Sequence, residues 1–250
     1  MVGERAAQSD EQDESDPQDQ SDLHAQSAGP ATDRVRLRRG AARGDYDRRT
    51  IFEILDAGVI AHVGVVTDDG PIVIPMAYGR TDEVVYLHGA VANAALRAAV
   101  DHDVCITVTL VDGLVIARTP FHNSMHYRSV VIRGIARRVV GDEHLDALRL
   151  VADHVVANWD AGRAPSAAEL RRTMVIAVPL HEMSAKVRTG GPADEPEDLD
   201  GPHWAGVVPL RRTWIAPVAA RDLPAGIDPP AAVAALAGTD IPGGEPDGHG

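Results

Sequence analysis

Three polar stretches interrupt apolar, β-rich parts of the sequence and are the candidates for chemistry. Residues 86–90 carry an apparent strand through a histidine and small residues into a helix, an arrangement whose free backbone N–H groups bind anions. Residues 121–129 concentrate His, Ser, Asn, Tyr and Arg just ahead of an apolar run. In residues 184–192, Lys186 and Arg188 alternate with apolar residues, so a strand would present both cations on one face. Together the stretches predict a site for an anionic or polar ligand.

Each stretch also has a plainer interpretation. The first is compatible with an ordinary strand-to-helix connection, although Asn93 and Arg97 could strengthen an anion site there. Lys186 and Arg188 could be solvated surface charges. Trp204 follows among small residues, where it could reach a flat ring or pack in the core.

Several other kinds of site are not indicated. His122 and His126 lack a third ligand, so we expect no metal site, and the single Cys105 is best explained as a small core residue. A glycine-rich phosphate loop, a Gly-x-Ser-x-Gly elbow and a His-Glu-x-x-His motif are all missing. We therefore assign no catalytic side chain.

Short β-like runs must position these residues. The hairpin signal Asp68-Asp69-Gly70 joins runs 60–67 and 71–78, and a further run follows at 84–88. Asp112-Gly113 is predicted to be the turn of a second hairpin, between 105–111 and 114–118. A longer strand is predicted over 128–140, with Gly134 at a bulge or corner. Later strands are predicted over 173–180 and 184–188.

Helical spacing is less common. It predicts helices over 47–56, 92–100, 142–159 and 166–172, the last beginning with a Ser-Ala-Ala-Glu capping box. Six or seven short antiparallel strands with a few helices favour a closed barrel, because closure removes exposed sheet edges. The predicted fold is therefore mainly β with flanking helices.

Composition divides the 250 residues into three zones. Residues 1–33 form an acidic tail too poor in apolar residues to fold, residues 34–224 form the domain, and residues 225–250 form a flexible Ala/Pro/Gly-rich tail. The net charge of -13 argues against a nucleic-acid partner. Without a signal sequence or a long apolar run, we expect a cytoplasmic protein that does not enter a membrane.

The order of these segments resembles a known family. Segments IAHVGVV (60–66), PIVIPMAYG (71–79), VVYLHGA (84–90) and FHNSMHYRSVVIRG (121–134) are similar to the flavin-nucleotide-binding branch of the pyridoxamine 5′-phosphate oxidase-like superfamily, which includes the Nim-type nitroimidazole reductases. The later SAKVRTG (184–190) also matches. The resemblance implies a six-stranded antiparallel split β-barrel, the FMN-binding split barrel, that forms a homodimer with flavins between the protomers.

The resemblance also implies the cofactor site. FMN is the expected cofactor. Relatives carry Gly-Arg-Lys after the His-Gly-Ala turn, whereas Arg97 is the nearest base here, so FAD or a deazaflavin remains an alternative. The residues implied to bind the cofactor are Pro75, Met76, Tyr78, His88, Gly89, Ala90, Asn93, Arg97, Tyr127, Arg128, Ser129, Lys186, Arg188 and Trp204.

The function predicted on this basis is flavin-dependent oxidation or reduction of a small-molecule substrate, with nitroaromatic reduction as one possibility. A non-catalytic carrier or sensor of flavin, haem or another small ligand is an alternative, with His88 or His126 as an axial or a hydrogen-bonding ligand. A true pyridoxamine phosphate oxidase is disfavoured because the expected basic cluster is incomplete.

Overall fold

A computed structural model describes residues 29–241 of the chain. Most of the predicted acidic tail, residues 1–28, lies outside the described residues, as does the end of the predicted C-terminal tail, residues 242–250. In the rest of that second tail, the chain forms a short helix at Ala231–Ala234.

The strands are, in chain order, β1 (Gly44–Asp45), β2 (Ala61–Thr67), β3 (Gly70–Met76), β4 (Tyr78–Arg80), β5 (Val84–Ala90), β6 (Asp103–Ile116), β7 (Ser124–Ile135), β8 (Arg137–Arg138), β9 (Thr173–Pro179), β10 (Glu182–Arg188) and β11 (Gly206–Pro209). The α-helices are α1 (Arg48–Ala57), α2 (Ala94–Ala99), α3 (Glu143–Val155), α4 (Ala167–Arg172) and α5 (Ala231–Ala234).

These strands form two antiparallel sheets. The large sheet has the order β1-β10-β7-β6-β2-β3, with β11 also paired to β6, and the small sheet has the order β4-β5-β9-β8. The prediction of a mainly β, antiparallel fold is confirmed. The predicted count of six strands is not confirmed, since the described residues contain eleven, several of them two to four residues long.

The inner faces of the two sheets enclose the main core. Leu87 and Ile176 enter it from the small sheet, and Ile106 and Ile132 enter it from the large sheet. The apolar sides of α1 and α2 pack inside the same core, where Ile51, Ile54, Leu55 and Leu96 are buried. Burial of these aliphatic side chains is the main force that holds the sheets together.

A second, smaller core lies on the outer face of the small sheet. There, Tyr86, Val175 and Ala177 contact Ala147 and Val151 of α3. The helix approaches β4 very closely because Gly79 has no side chain: a β carbon at this position would lie 2.5 Å from the backbone carbonyl carbon of Leu150. This close approach fixes α3 against the sheet.

The second predicted hairpin is wrong. Asp112 and Gly113 do not form a turn but a bulge within the single long strand β6, where the register with β7 shifts. Asp112 is buried and pairs with Arg128 of β7, which holds this acidic residue within the sheet rather than at an exposed turn. The predicted strand 128–140 likewise begins earlier and is interrupted after Ile135.

The four predicted helices are present: the first is shifted by one residue, and the other three are shortened at one or both ends. Asp47 caps α1 by accepting a hydrogen bond from the Arg49 backbone N–H at 2.9 Å, and the predicted capping box of Ser166 and Glu169 begins α4. Within residues 29–241, we find no helix with both the length and the apolar character needed to cross a bilayer.

Candidate functional site

The outer face of the large sheet carries a cluster of polar side chains at one end. Lys186 lies opposite Ser129, and Arg188 lies opposite Tyr127, in the register between β10 and β7. Because successive residues of a strand point to opposite faces, these four side chains share one face. The structure therefore confirms that Lys186 and Arg188 point the same way, and it brings together four of the predicted site residues.

This cluster is cationic. The Arg188 guanidinium donates a hydrogen bond to Ser124 Oγ, and Lys186 Nζ donates one to the Arg39 carbonyl oxygen at 3.2 Å. Burial lowers the pKa of Arg188, and the like charge of nearby Arg43 lowers it further. Among residues 29–241, no carboxylate forms an ion pair with Lys186, Arg188 or Arg43. An unneutralised positive site in a strongly acidic protein favours an anionic ligand.

Arg128 does not belong to this cluster, contrary to the sequence interpretation. It lies opposite Val187 rather than Lys186, so its side chain projects from the other face of the sheet. There the guanidinium makes two hydrogen bonds of 3.0 Å to the carboxylate of buried Asp112. A bidentate pair of this kind positions the β6 bulge, so the role that the structure supports for Arg128 is a structural one.

Two other predicted residues are also turned away from the outer face. Tyr78 is fully buried, and its hydroxyl donates to the carbonyl oxygen of Leu55, with that of Gly58 also within 3.0 Å. Burial also raises the pKa of Tyr78. Met76 packs partly against the main core, whereas Pro75 is exposed on β3, opposite His62.

A further group of predicted residues lies at the opposite end of the molecule. Gly89 and Ala90 end β5, Asn93 caps α2 by accepting from the Leu96 N–H at 3.2 Å, and Arg97 is exposed beside the β2–β3 turn. The backbone at Gly89 passes close to Leu96, where a β carbon would lie 2.8 Å from Cδ1.

The two ends are too far apart to share a ligand within one chain. Beyond the Gly64–Cys105 pair, β2 continues toward the Asp103 end of β6, so the β2–β3 turn lies at that end. Tyr127 of the cation cluster pairs with Val111, which lies further along β6. Eight residues of extended strand separate Asp103 from Val111, a span of about 26 Å. The polar segments therefore do not form one pocket within a single chain; the resemblance implies that they meet between two protomers, and that stays a prediction.

Trp204 lies outside both groups. Its side chain is 65% exposed, just before β11, and its ring lies over Gly206, where a β carbon would meet Cζ2 at 2.8 Å. It is neither the buried core tryptophan of the plainer interpretation nor part of a closed pocket in the single chain.

His88 lines a cavity on the other side of the molecule, between the small sheet and α3. The cavity has a volume of about 470 Å³ and a predominantly apolar wall. Its lining residues are Ala77, His88, Leu148, Val151, Ala152, Val155, Trp159, Arg163, Pro165, Glu169, Leu170 and Thr173. This size lies within the usual range for sites of small organic ligands.

The imidazole of His88 makes no hydrogen bond with the described residues, and its Nδ1 atom is buried without a partner. Burial lowers the pKa of His88 below its ordinary value of 6.5, so that the ring is neutral at pH 7. A half-buried, neutral imidazole that lines an apolar cavity and has an unpartnered Nδ1 atom can bind a metal centre or a hydrogen-bonding ligand.

Sequence reasoning found His88 but missed the rest of this cavity. Helical spacing predicted the helix that became α3, but it gave no indication that Leu148 and Val155 line a cavity. Arg163 pairs with Glu169 at 2.5 Å and adds a cation to the lining. A signal was available in Trp159, a large aromatic residue four positions after the end of α3.

Comparisons with known proteins identify chains that are similar to this one. Residues 47–187 match the family model described as pyridoxamine 5′-phosphate oxidase. Among solved structures, the flavocytochrome Anf3 from Azotobacter vinelandii is 33% identical, with a TM-score of 0.79 over 84% of this chain and 99% of that one. No match was found among curated proteins.

Two further structures are similar. The FAD- and haem-binding protein from Mycobacterium smegmatis is 30% identical, with a TM-score of 0.75 over 80% of this chain and 98% of that one. A Bacteroides thetaiotaomicron protein assigned to 5-nitroimidazole antibiotic resistance is 25% identical, with a TM-score of 0.50 over 58% of this chain and 86% of that one. The alignments with the Azotobacter and Mycobacterium proteins cover more of this chain than residues 47–187, which the family model matches.

Proposed function

The chain belongs to the pyridoxamine 5′-phosphate oxidase family, as its sequence predicted, and from that premise we propose that it binds a flavin on the outer face of its large sheet and acts as an oxidoreductase on a small molecule. The observation that carries this proposal is the unneutralised cation pair Lys186 and Arg188 beside Tyr127 and Ser129. FAD is the favoured flavin, because a 30% identical relative is an FAD- and haem-binding protein.

The residues of the cluster suit a phosphorylated, flat ligand. Lys186 and Arg188 supply charge-assisted hydrogen bonds to an anionic group, and the planar guanidinium can donate two at once. Tyr127 and Ser129 add hydroxyl groups that can donate or accept on the same face. A bound flavin supplies the redox chemistry, while these side chains bind and orient it.

The visible absorption spectrum of the purified protein tests this proposal, together with the mass of any released cofactor. We expect flavin absorption bands and the mass of FAD, or the same bands after incubation with FAD. Parallel incubations with FMN and with a deazaflavin measure the preference among the three. A protein that stays colourless and binds none of them would contradict the proposal.

A second candidate function is favoured by a separate observation, the buried and unpartnered His88 Nδ1 in an apolar cavity of about 470 Å³. We propose that this cavity binds haem, with the imidazole of His88 as a ligand to the iron. An apolar wall suits a porphyrin, and a neutral imidazole is a common ligand of haem iron. Two relatives of at least 30% identity are a flavocytochrome and an FAD- and haem-binding protein.

Replacing His88 tests the haem site. We expect the protein to give a Soret band with haem, and we expect His88→Ala to weaken haem binding at least tenfold and to shift the band, because a ligand to the iron is lost. His181→Ala is the matched control, since His181 is exposed in the loop between β9 and β10 and should leave the spectrum unchanged. Equal spectra and affinities for both variants would rule out His88 as the ligand.

The same site predicts a pH dependence. A histidine binds a metal only in its neutral form, and burial lowers the pKa of His88 below 6.5. Haem affinity should therefore be constant from pH 8 down to about 6.5, and should fall only at lower pH, where His88 becomes protonated. Haem titrations across this range, read from the Soret band, measure the effect.

A further inference from the structure

A second cavity adjoins the one beside His88. It has a volume of about 420 Å³ and lies at the edge of the small sheet, where β8 is the last strand, so we call it the edge cavity. Leu170 and Thr173 line both the edge cavity and the cavity beside His88. Because the two cavities share part of their wall, a single ligand can extend from one into the other.

The edge cavity is cationic. Arg138 and Arg171 line it, and none of its lining residues is Asp or Glu. Within residues 29–241, neither guanidinium forms an ion pair. Two unneutralised guanidinium groups on one concave surface favour a ligand that carries carboxylates.

The fold brings the two arginines together through β9. Arg138 pairs with Ile176 of β9, and Arg171 lies in the last turn of α4, two residues before β9 begins. The short strand β8 does not pair with the start of β9, so Thr173 and Met174 line the edge cavity there. The two cations therefore reach the same cavity from opposite sides of one strand end.

The cavity beside His88 has no free guanidinium for an anionic group. Arg163 lines it, but its guanidinium donates two hydrogen bonds to the Glu169 carboxylate, at 2.8 and 2.5 Å, and is neutralised by it. The unpartnered Nδ1 atom of His88 nevertheless indicates that a ligand contacts the imidazole. A ligand that has both an apolar body and carboxylates would therefore place its charges in the edge cavity.

We infer that the two cavities form one site for a single amphipathic ligand, whose apolar body lies beside His88 and whose carboxylates bind Arg138 and Arg171. The inference rests on the haem site proposed above and adds the orientation of the haem in it. A haem carries both of its carboxylates on one edge of the porphyrin, away from the iron at its centre. That edge would point toward β8.

The spacing of the strands suits a ligand of this size. His88 pairs with Val175, and the Val175 carbonyl oxygen accepts a hydrogen bond of 2.9 Å from the Val139 N–H. His88 and Val139 are therefore two strand spacings apart, about 10 Å. A porphyrin is wide enough to span this distance, so its iron can meet His88 while its carboxylates reach the arginine beside Val139.

The dimethyl ester of haem tests this orientation, because it keeps the porphyrin and the iron but carries no carboxylates. In Arg138→Gln with Arg171→Gln, we expect the dissociation constant of haem, titrated through the Soret band, to rise about tenfold, and that of the ester to stay unchanged. The expected effect is modest because both arginines are exposed to water. Arg172→Gln is the matched control, since Arg172 is also exposed at the end of α4 but lines neither cavity.

Two further measurements separate the ends of the ligand. His88→Ala should weaken haem and its ester by the same factor, because it changes only the contact with the iron. The effect of the double substitution on haem should shrink as ionic strength rises, because salt screens exposed charges. The double variant keeps Lys186 and Arg188, so an unchanged affinity for FAD and an unchanged far-UV circular dichroism spectrum show that it is folded.

Three results would overturn the inference and leave haem binding in place: equal losses of affinity for haem and its ester in the double variant, no loss for either, or an equal loss for haem in Arg172→Gln. A wild-type chain that gives no Soret band with haem or with the ester would overturn the haem site and this inference together.

Discussion

Gly79→Ala should lower the free energy of unfolding by about 3 kcal/mol, near the upper end of the usual cost of overpacking. The added methyl group would lie 2.5 to 2.6 Å from backbone atoms of Leu150 and Val151. Backbone atoms within a helix cannot move aside as a flexible side chain can, so α3 must shift away from β4 as a whole. Urea unfolding, followed by circular dichroism, measures the change.

Gly191→Ala is the control for this substitution. A β carbon at Gly191 would meet no atom within 4 Å, so its stability should change by no more than about 0.5 kcal/mol. Because α3 supplies Leu148, Val151 and Val155 to the cavity beside His88, Gly79→Ala should also weaken ligand binding there. If Gly79→Ala unfolds at the same urea concentration as the wild type, the close approach of α3 to β4 is not present in solution.

The second large effect concerns the cation cluster. Replacing Lys186 and Arg188 together by glutamine should raise the dissociation constant for the flavin by about 100-fold, because two charge-assisted hydrogen bonds are lost. Glutamine retains much of the aliphatic chain and removes only the charge. Fluorescence titration with FAD measures the affinity.

Salt and a control variant separate this effect from a general loss of positive charge. Wild-type affinity should fall as ionic strength rises, and the affinity of the double variant should depend less on salt, because the attraction that salt screens has been removed. Arg138→Gln is the control, since Arg138 is an exposed cation on β8 of the small sheet and should leave the affinity unchanged. If the double variant binds FAD as the wild type does, the flavin does not use this cluster.

The side-chain placements that the sequence predicts correctly are those that depend on local periodicity. Lys186 and Arg188 share a face because side chains alternate along any strand, whatever the rest of the fold. The same rule placed Arg128 on the opposite face, together with Val130 and Ile132, which are buried in the main core. Arg128 therefore does not share the face of its sequence neighbours Tyr127 and Ser129, with which the sequence analysis grouped it.

The parts that could not be predicted depend on contacts between distant segments. The bulge at Asp112 is stabilised by Arg128, sixteen residues later, and no local pattern distinguishes it from a turn. Tyr78 is buried because its hydroxyl reaches carbonyl oxygens at the end of α1, at Leu55 and Gly58. The cavity beside His88 likewise requires α3 and α4 to meet β5, and periodicity within one segment cannot indicate that.

The strand β9 ties the two halves of the molecule into one cooperative unit. Ile176 and Val178 face the interior of the barrel, while Val175 and Ala177 face α3. A strand that is buried on both sides cannot separate from one layer without exposing apolar surface to water in the other. The cavity under α3 and the barrel that carries the cation cluster therefore gain and lose their structure together, although the two surfaces that we propose bind ligands lie on different sheets.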